Sequence, residues 1–215
     1  MLREIVSNEW FTILLLISVV LIAAAKLAFT TRFVDFLTLV GNSRYLKIYS
    51  RDQKFIDLFD GLLFLNLIIS MSLFTMVCIR HLSDDLTNEL GLFAKIGIGI
   101  GAILLIKILL ERLLGSLFEI DELIDSYLFQ KISYRNYLGL ILVPINALVL
   151  YAIVPSNSVI FIVILLLMFI NVIGIVTSFK SHQKSLINNI FYFILYLCAL
   201  EISPYIILYK WIMNE

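Results

Sequence analysis

Glu201 is a lone carboxylate in an aromatic and aliphatic run from Asn188 to Trp211, and Pro204 follows it three residues later. In hydrocarbon the charged form of a carboxyl group is costly, so an unpaired Glu201 favours its protonated form. Pro204 has no backbone N–H to donate to the carbonyl of Leu200, which leaves a free acceptor beside Glu201. A carboxyl group next to an interrupted helix is one way transporters build an ion or proton site at mid-membrane. The bland alternative is a proline kink whose buried carboxyl bonds to a neighbouring helix.

Other polar residues also interrupt apolar runs: Asn66, Lys107, Asn146 and Asn171. With Lys95 and Arg112 as depth markers, Lys107 lies about 6 Å to one side of the midplane, and Lys184 and Lys210 put Glu201 about 6 Å to the other. A direct Lys107–Glu201 pair must then close about 12 Å of axial offset between straight helices. Glu111, four residues after Lys107 on the same helix face, competes for it. The candidate intramembrane polar site is therefore Glu201, Lys107, Asn66, Asn146 and Pro204, linked directly or through water. Gly97, Gly99 and Gly101 lie inside an apolar run with no preceding strand, which rules out a phosphate loop. Gly97 and Gly101 instead form a small-xxx-small face for close helix packing. By that face and by Glu201, the third and sixth spans are expected at the centre of the bundle.

Familiar catalytic chemistry finds little support. Arg80, His81, Asp84, Asp85 and Glu89 share one loop but lack a zinc-binding spacing, and the other histidine, His182, lies on the opposite side, so a solvated loop is expected and no metal site. Cys78 and Cys198 both sit in apolar runs as small hydrophobes. No nucleophile elbow or kinase signature occurs, an enzyme of a familiar type is disfavoured, and no cofactor is implied.

The elements that carry these residues follow from composition. With 61% hydrophobic and 15% charged residues and a mean hydropathy of +1.02, the 215-residue chain lacks the polar surface of a soluble domain. It reads as a single all-α integral membrane domain, residues 1–215, with the lipid bilayer as its first partner. Its 16 basic and 16 acidic residues cancel, leaving no global field for nucleic acid. Six stretches approach the roughly 20 apolar residues a crossing needs: Trp10–Thr30, Ile56–Cys78, Leu92–Leu114, Tyr137–Val154, Ser158–Ser178 and Leu186–Trp211. Pro155, Ser156 and Asn157 make a tight hairpin of the fourth and fifth. The N-terminal run lacks a positive leading region, so it reads as a retained first span and not as a cleaved signal.

The loops after spans one, three and five hold ten of the Lys and Arg residues, against four on the other side. By the positive-inside rule both termini face outward. Phe33, Phe36, Leu37 and Val40 recur at helical spacing before Gly41, Asn42 and Ser43, which predicts an interfacial helix. Phe118 to Leu128 predicts an amphipathic segment with an acidic polar face, a short helix capping the bundle or a surface for a protein partner. The two halves, three spans each, are arranged as in an inverted repeat, but they share no residue-level similarity.

The runs FYFILYLCALEISPYIILYK ending at Lys210, NSRYLKIYSRDQ from Asn42 to Gln53 and SYRNYLGLILVP from Ser133 to Pro144 resemble a family of multi-span membrane proteins of unknown function found in Bacteroidota. The resemblance covers nearly all of the chain. It implies a bacterial inner-membrane location and supplies no catalytic residue. Two functions remain open on these grounds, and a third, an intramembrane enzyme acting on lipid, is disfavoured because no paired acid, base and metal ligands converge at one interface. One is a non-enzymatic inner-membrane component that packs with other membrane or envelope proteins in an assembly or secretion complex. The other is a small transporter or proton-coupled channel using Glu201 and Lys107 at the Pro204 break.

Overall fold

The computed structural model describes residues 9–40, 44–50, 57–82, 89–117, 121–153 and 156–188, and it is an all-α helical bundle. Among these residues, five helices are long and apolar enough to cross a membrane, as expected of an integral membrane protein. They are α1 (Glu9–Ala28), α4 (Leu58–Leu82), α5 (Glu89–Leu117), α6 (Asp121–Ala147, continued by a π-helical turn over Leu148–Ala152) and α7 (Asn157–Asn188). Two short helices, α2 (Thr30–Leu37) and α3 (Arg44–Tyr49), connect α1 to α4. The expected sixth span, Leu186–Trp211, lies outside the described residues beyond Asn188.

Charge placement at the helix ends suits the peptide dipoles. Glu9 opens α1 and Lys26 closes it, while Asp60 lies in the first turn of α4 and Arg80 and His81 in its last. Between α1 and α2 helical bonding hardly breaks: Phe29 N–H donates to Ala25 and Phe33 N–H to Phe29, at 3.1 and 2.8 Å. The chain bends at Phe29, and α2 ends where Thr38 N–H turns back to the carbonyl of Asp35 and Leu39 N–H to that of Phe36. Phe33 and Phe36 are buried, whereas Leu37 and Val40 are exposed.

Among the described residues the bundle is organised around α4 and α6; of the two spans expected at the centre, span three (α5) is peripheral there and span six lies outside the described residues. Half of the apolar window of α4 is buried, against 11% of that of α5. Gly97 and Gly101 bring α5 against one neighbour, but most of its remaining isoleucines and leucines, such as Ile98, Ile103, Leu109 and Leu113, face outward. One small-residue stripe makes one seam, and a central helix needs several.

The fourth span also starts earlier than its apolar run. The acidic segment before it forms the first turns of α6, continuous with the span and not a separate surface helix. Ser133, Tyr134 and Asn136 interrupt the apolar pattern in sequence, yet all three are buried: Asn136 bonds the Asp60 carbonyl, and Tyr134 packs within an apolar cluster. The hairpin to α7 is short: Ser156 accepts at its side chain from Val159 N–H (3.4 Å) and at its carbonyl from Ile160 N–H (3.0 Å), starting α7.

Candidate functional site

α4 and α6 run parallel. Asn136 donates to the Asp60 carbonyl at 3.4 Å, Gly139 packs on Leu67, and Asn146 donates to the Ser70 carbonyl at 2.8 Å, so the paired positions rise together along both helices. At Gly139 an added Cβ would lie 2.6 Å from the Cα of Leu67, so the two backbones touch there. Asn66 and Asn146 are 0% and 1% exposed and both belong to the α4–α6 part of the core. The amide of Asn66, one turn before Ser70, makes no hydrogen bond among the described residues. Ser18, midway along α1, is fully buried as well, which gives the bundle a thin band of polar atoms at mid-depth.

Lys107 belongs to a different seam. It is half-buried on α5, which meets α4 through Gly97 and Gly101, where added Cβ atoms would lie 3.3 Å from Ser72 Oγ and 3.2 Å from Ile68 Cδ1. Ile68 and Asn66 are about 200° apart around α4, so Asn66 points away from α5. Glu111, the expected local rival for Lys107, accepts from Lys131 of α6 at 2.6 Å, and its side chain is 1% exposed. The structure thus joins Asn66 and Asn146 within one seam and keeps Lys107 apart from both. Glu201 and Pro204 lie outside the described residues.

The densest polar cluster was not among the candidates drawn from the sequence. Arg32 of α2 pairs with Asp57 and, at 2.8 Å, with Asp60. Its guanidinium also lies 4.6 Å from the ring centroid of Phe59 and 5.2 Å from that of Tyr49, which desolvates the charge without abandoning it. Asp57 precedes the first residue of α4, and its carbonyl accepts from Gly61 N–H at 2.9 Å. Both carboxylates therefore sit at a helix N-terminus, where negative charge is favoured. Burial by itself disfavours the charged Arg32, but neighbouring Tyr45, Asp60 and Asp57 outweigh it and hold the guanidinium protonated. Burial, with Asp60 beside it, pushes the Tyr45 hydroxyl well above the ordinary tyrosine range, against the opposite pull of Arg32 and Ser133. The Phe36 ring stands edge-on to Tyr45, Phe59 and Tyr137 at 5.4–5.8 Å and seals this end. A carboxylate pair three residues apart just before an apolar run is a readable helix start, but nothing in the sequence assigned Arg32 as its partner.

The opposite end is tied more lightly. Glu89 accepts from Trp10 Nε1 at 3.1 Å and pairs with Arg80 Nε at 3.1 Å, and His81 bonds Asn157 at 2.9 Å. Arg80, His81 and Glu89 are therefore partnered between helices and not separately solvated, while Asp84 and Asp85 lie outside the described residues. Among the described residues no three His, Cys, Asp or Glu side chains gather as a metal site.

The family model described as "Domain of unknown function (DUF4271)" matches residues 11–212. No curated protein and no solved structure matches the chain.

Proposed function

The chain belongs to the DUF4271 family, and we propose that it is a non-enzymatic component of a bacterial inner membrane, packing with other proteins of a larger envelope assembly or secretion complex. One observation carries this reading: the partnered polar side chains described above tie helix to helix instead of converging on a point where a substrate atom would react. Arg32 joins α2 to α4, Asn146 joins α6 to α4, Lys131 joins α6 to α5, and Glu89 gathers α1, α4 and α5. A bundle braced in this way is a rigid scaffold. Basic loops at the Arg32 end favour that end in the cytoplasm, with both termini outside. Gentle solubilisation and crosslinking tests the proposal: partner proteins co-purify, and a clean monomer with no crosslinked partner counts against it.

A second reading, a small transporter or proton-coupled channel at Glu201, Lys107 and Pro204, draws support from Asn66. A buried amide with no hydrogen bond is costly unless it serves something else, such as a hydrated path. Flux through vesicles carrying wild type or Glu201→Gln distinguishes the two readings, because unchanged flux in the variant removes the proton site.

A further inference from the structure

A cleft of about 460 Å³ opens between α5 and α7, with α4 and α6 as its floor. That volume lies in the range of small-molecule sites. Its two ends differ in chemistry. One is apolar, built from Leu67, Met71, Ile100, Leu104 and Met168. The other carries Lys131, Arg135, Tyr127, Tyr134 and Asn171.

The polar end lies toward the Arg32 end of the bundle. Lys131 is held by Glu111 at 2.6 Å and so brings little net charge. Arg135, one helical turn further along α6, has no ion pair among the described residues, which leaves the cleft with one uncompensated cation. Asn171 spends one amide hydrogen on the Leu167 carbonyl at 3.2 Å and retains a second. At Gly174 an added Cβ would lie 2.8 Å from the Tyr134 ring, so that ring lies against the α7 backbone and closes the floor beneath these groups.

Depth then selects the ligand. From Ile100, near the middle of α5, to the level of Glu111 and Lys131 is about 16 Å along the helix, and Arg135, one turn further into the bundle on α6, lies about 6 Å short of that level, within reach of the interface by its long side chain. One leaflet of hydrocarbon is half of a core roughly 30 Å thick, or about 15 Å. A cleft that is apolar from mid-depth and cationic at the interface has the profile of one lipid of one leaflet. Basic pockets between membrane helices are suited to anionic headgroups.

We propose that this cleft binds an anionic glycerophospholipid from the leaflet at the Arg32 end, with its phosphate on Arg135 and an acyl chain along Leu67, Ile100 and Met168. The binding is independent of whether the chain serves an assembly or a transport path. The test uses the full chain reconstituted in phosphatidylcholine vesicles containing a minority of phosphatidylglycerol, with the lipids retained on the released protein counted by native mass spectrometry. Wild type retains phosphatidylglycerol enriched about five- to tenfold over the vesicle ratio, Arg135→Gln returns it to that ratio, and Arg135→Lys restores part of it. Met168→Trp, which fills the apolar end and leaves the cations in place, lowers retention of lipid with either headgroup. Retention at the vesicle ratio by wild type overturns the proposal, as does enrichment that neither Arg135→Gln nor Met168→Trp changes. Inorganic phosphate that stabilises the delipidated protein as strongly as phosphatidylglycerol also overturns it, by making the site one for free phosphate.

Discussion

The Arg32 guanidinium donates to Asp60 at 2.8 Å while also engaging Asp57, so one cation from α2 gathers the two carboxylates that begin α4. The helix dipole favours either carboxylate, but two of them three residues apart repel each other. Arg32 is what makes both tolerable in a site where its own side chain is 11% exposed and that of Asp60 is 13%. The bond fixes the angle at which the α2–α3 connection folds onto the end of the bundle.

Arg32→Met therefore leaves two uncompensated carboxylates and lowers stability by about 3 kcal/mol, the scale for removing one partner of a buried pair. The double variant Arg32→Met/Asp60→Leu recovers much of that loss, because it removes the more buried of the two carboxylates and leaves only the more exposed Asp57. Thermal unfolding in one detergent, run on wild type and both variants, measures the difference. Equal losses in the single and double variants would show that Arg32 acts through packing on Phe59 and Tyr49 instead.

Gly139→Ala is expected to be among the most damaging single-methyl changes in the bundle. The added Cβ meets the Leu67 backbone at 2.6 Å, and neither helix can step aside without breaking the Asn136 and Asn146 bonds on either side. A loss of about 1–3 kcal/mol follows from overpacking of this kind. Gly61→Ala is the control: nothing lies within 4 Å of its added Cβ, and the variant gains about 0.5–1 kcal/mol of helix propensity.

Asn146 and Asn66, both buried, should respond oppositely to leucine. Asn146→Leu gives up a hydrogen bond of 2.8 Å and loses about 0.5–1.5 kcal/mol. Asn66→Leu removes an amide that makes no hydrogen bond among the described residues, and stability holds or rises by about 1 kcal/mol. Denaturant titration of both variants gives the sign. A stabilised Asn66→Leu that has also lost vesicle flux would favour the transport reading, since a purely structural asparagine has no flux to lose.

Five of the spans were legible because each apolar run is long and bounded by polar or charged residues, and the α6–α7 hairpin because Pro155, Ser156 and Asn157 are turn and helix-start residues. The glycine that matters most was not. Gly97 and Gly101 advertise themselves by spacing, yet their added Cβ atoms would meet only side chains at 3.2–3.3 Å, whereas Gly139 stands alone in its stretch and touches backbone. Close approach depends on which helix lies opposite, and that is tertiary information. The start of α6 was misread for a related reason: Ser133 and Asn136 look like a loop until α3 and α4 are packed against them. Arg32 was counted among the basic loop residues that set orientation, and its role as an ion-pair partner for Asp57 and Asp60 needed the fold.

Tyr45 supplies a pH signature for the same end of the molecule. Its hydroxyl is held above the ordinary value of about 10 by burial and by Asp60, so between that value and the folded one the unfolded chain releases this proton and the folded chain keeps it. The unfolded state then binds fewer protons, and stability falls as pH rises. The contribution is present in full below about pH 10 and is lost above it, at up to about 1.4 kcal/mol per pH unit for one proton. Tyr45→Phe keeps the ring packing on Phe36 and Phe129 but abolishes this titration. Its melting temperature should therefore drop less steeply than that of wild type between about pH 9.5 and 11, where the slope per proton is set by linkage. Parallel alkaline profiles for the two proteins would place the Tyr45 hydroxyl in water instead of beside Arg32 and Ser133.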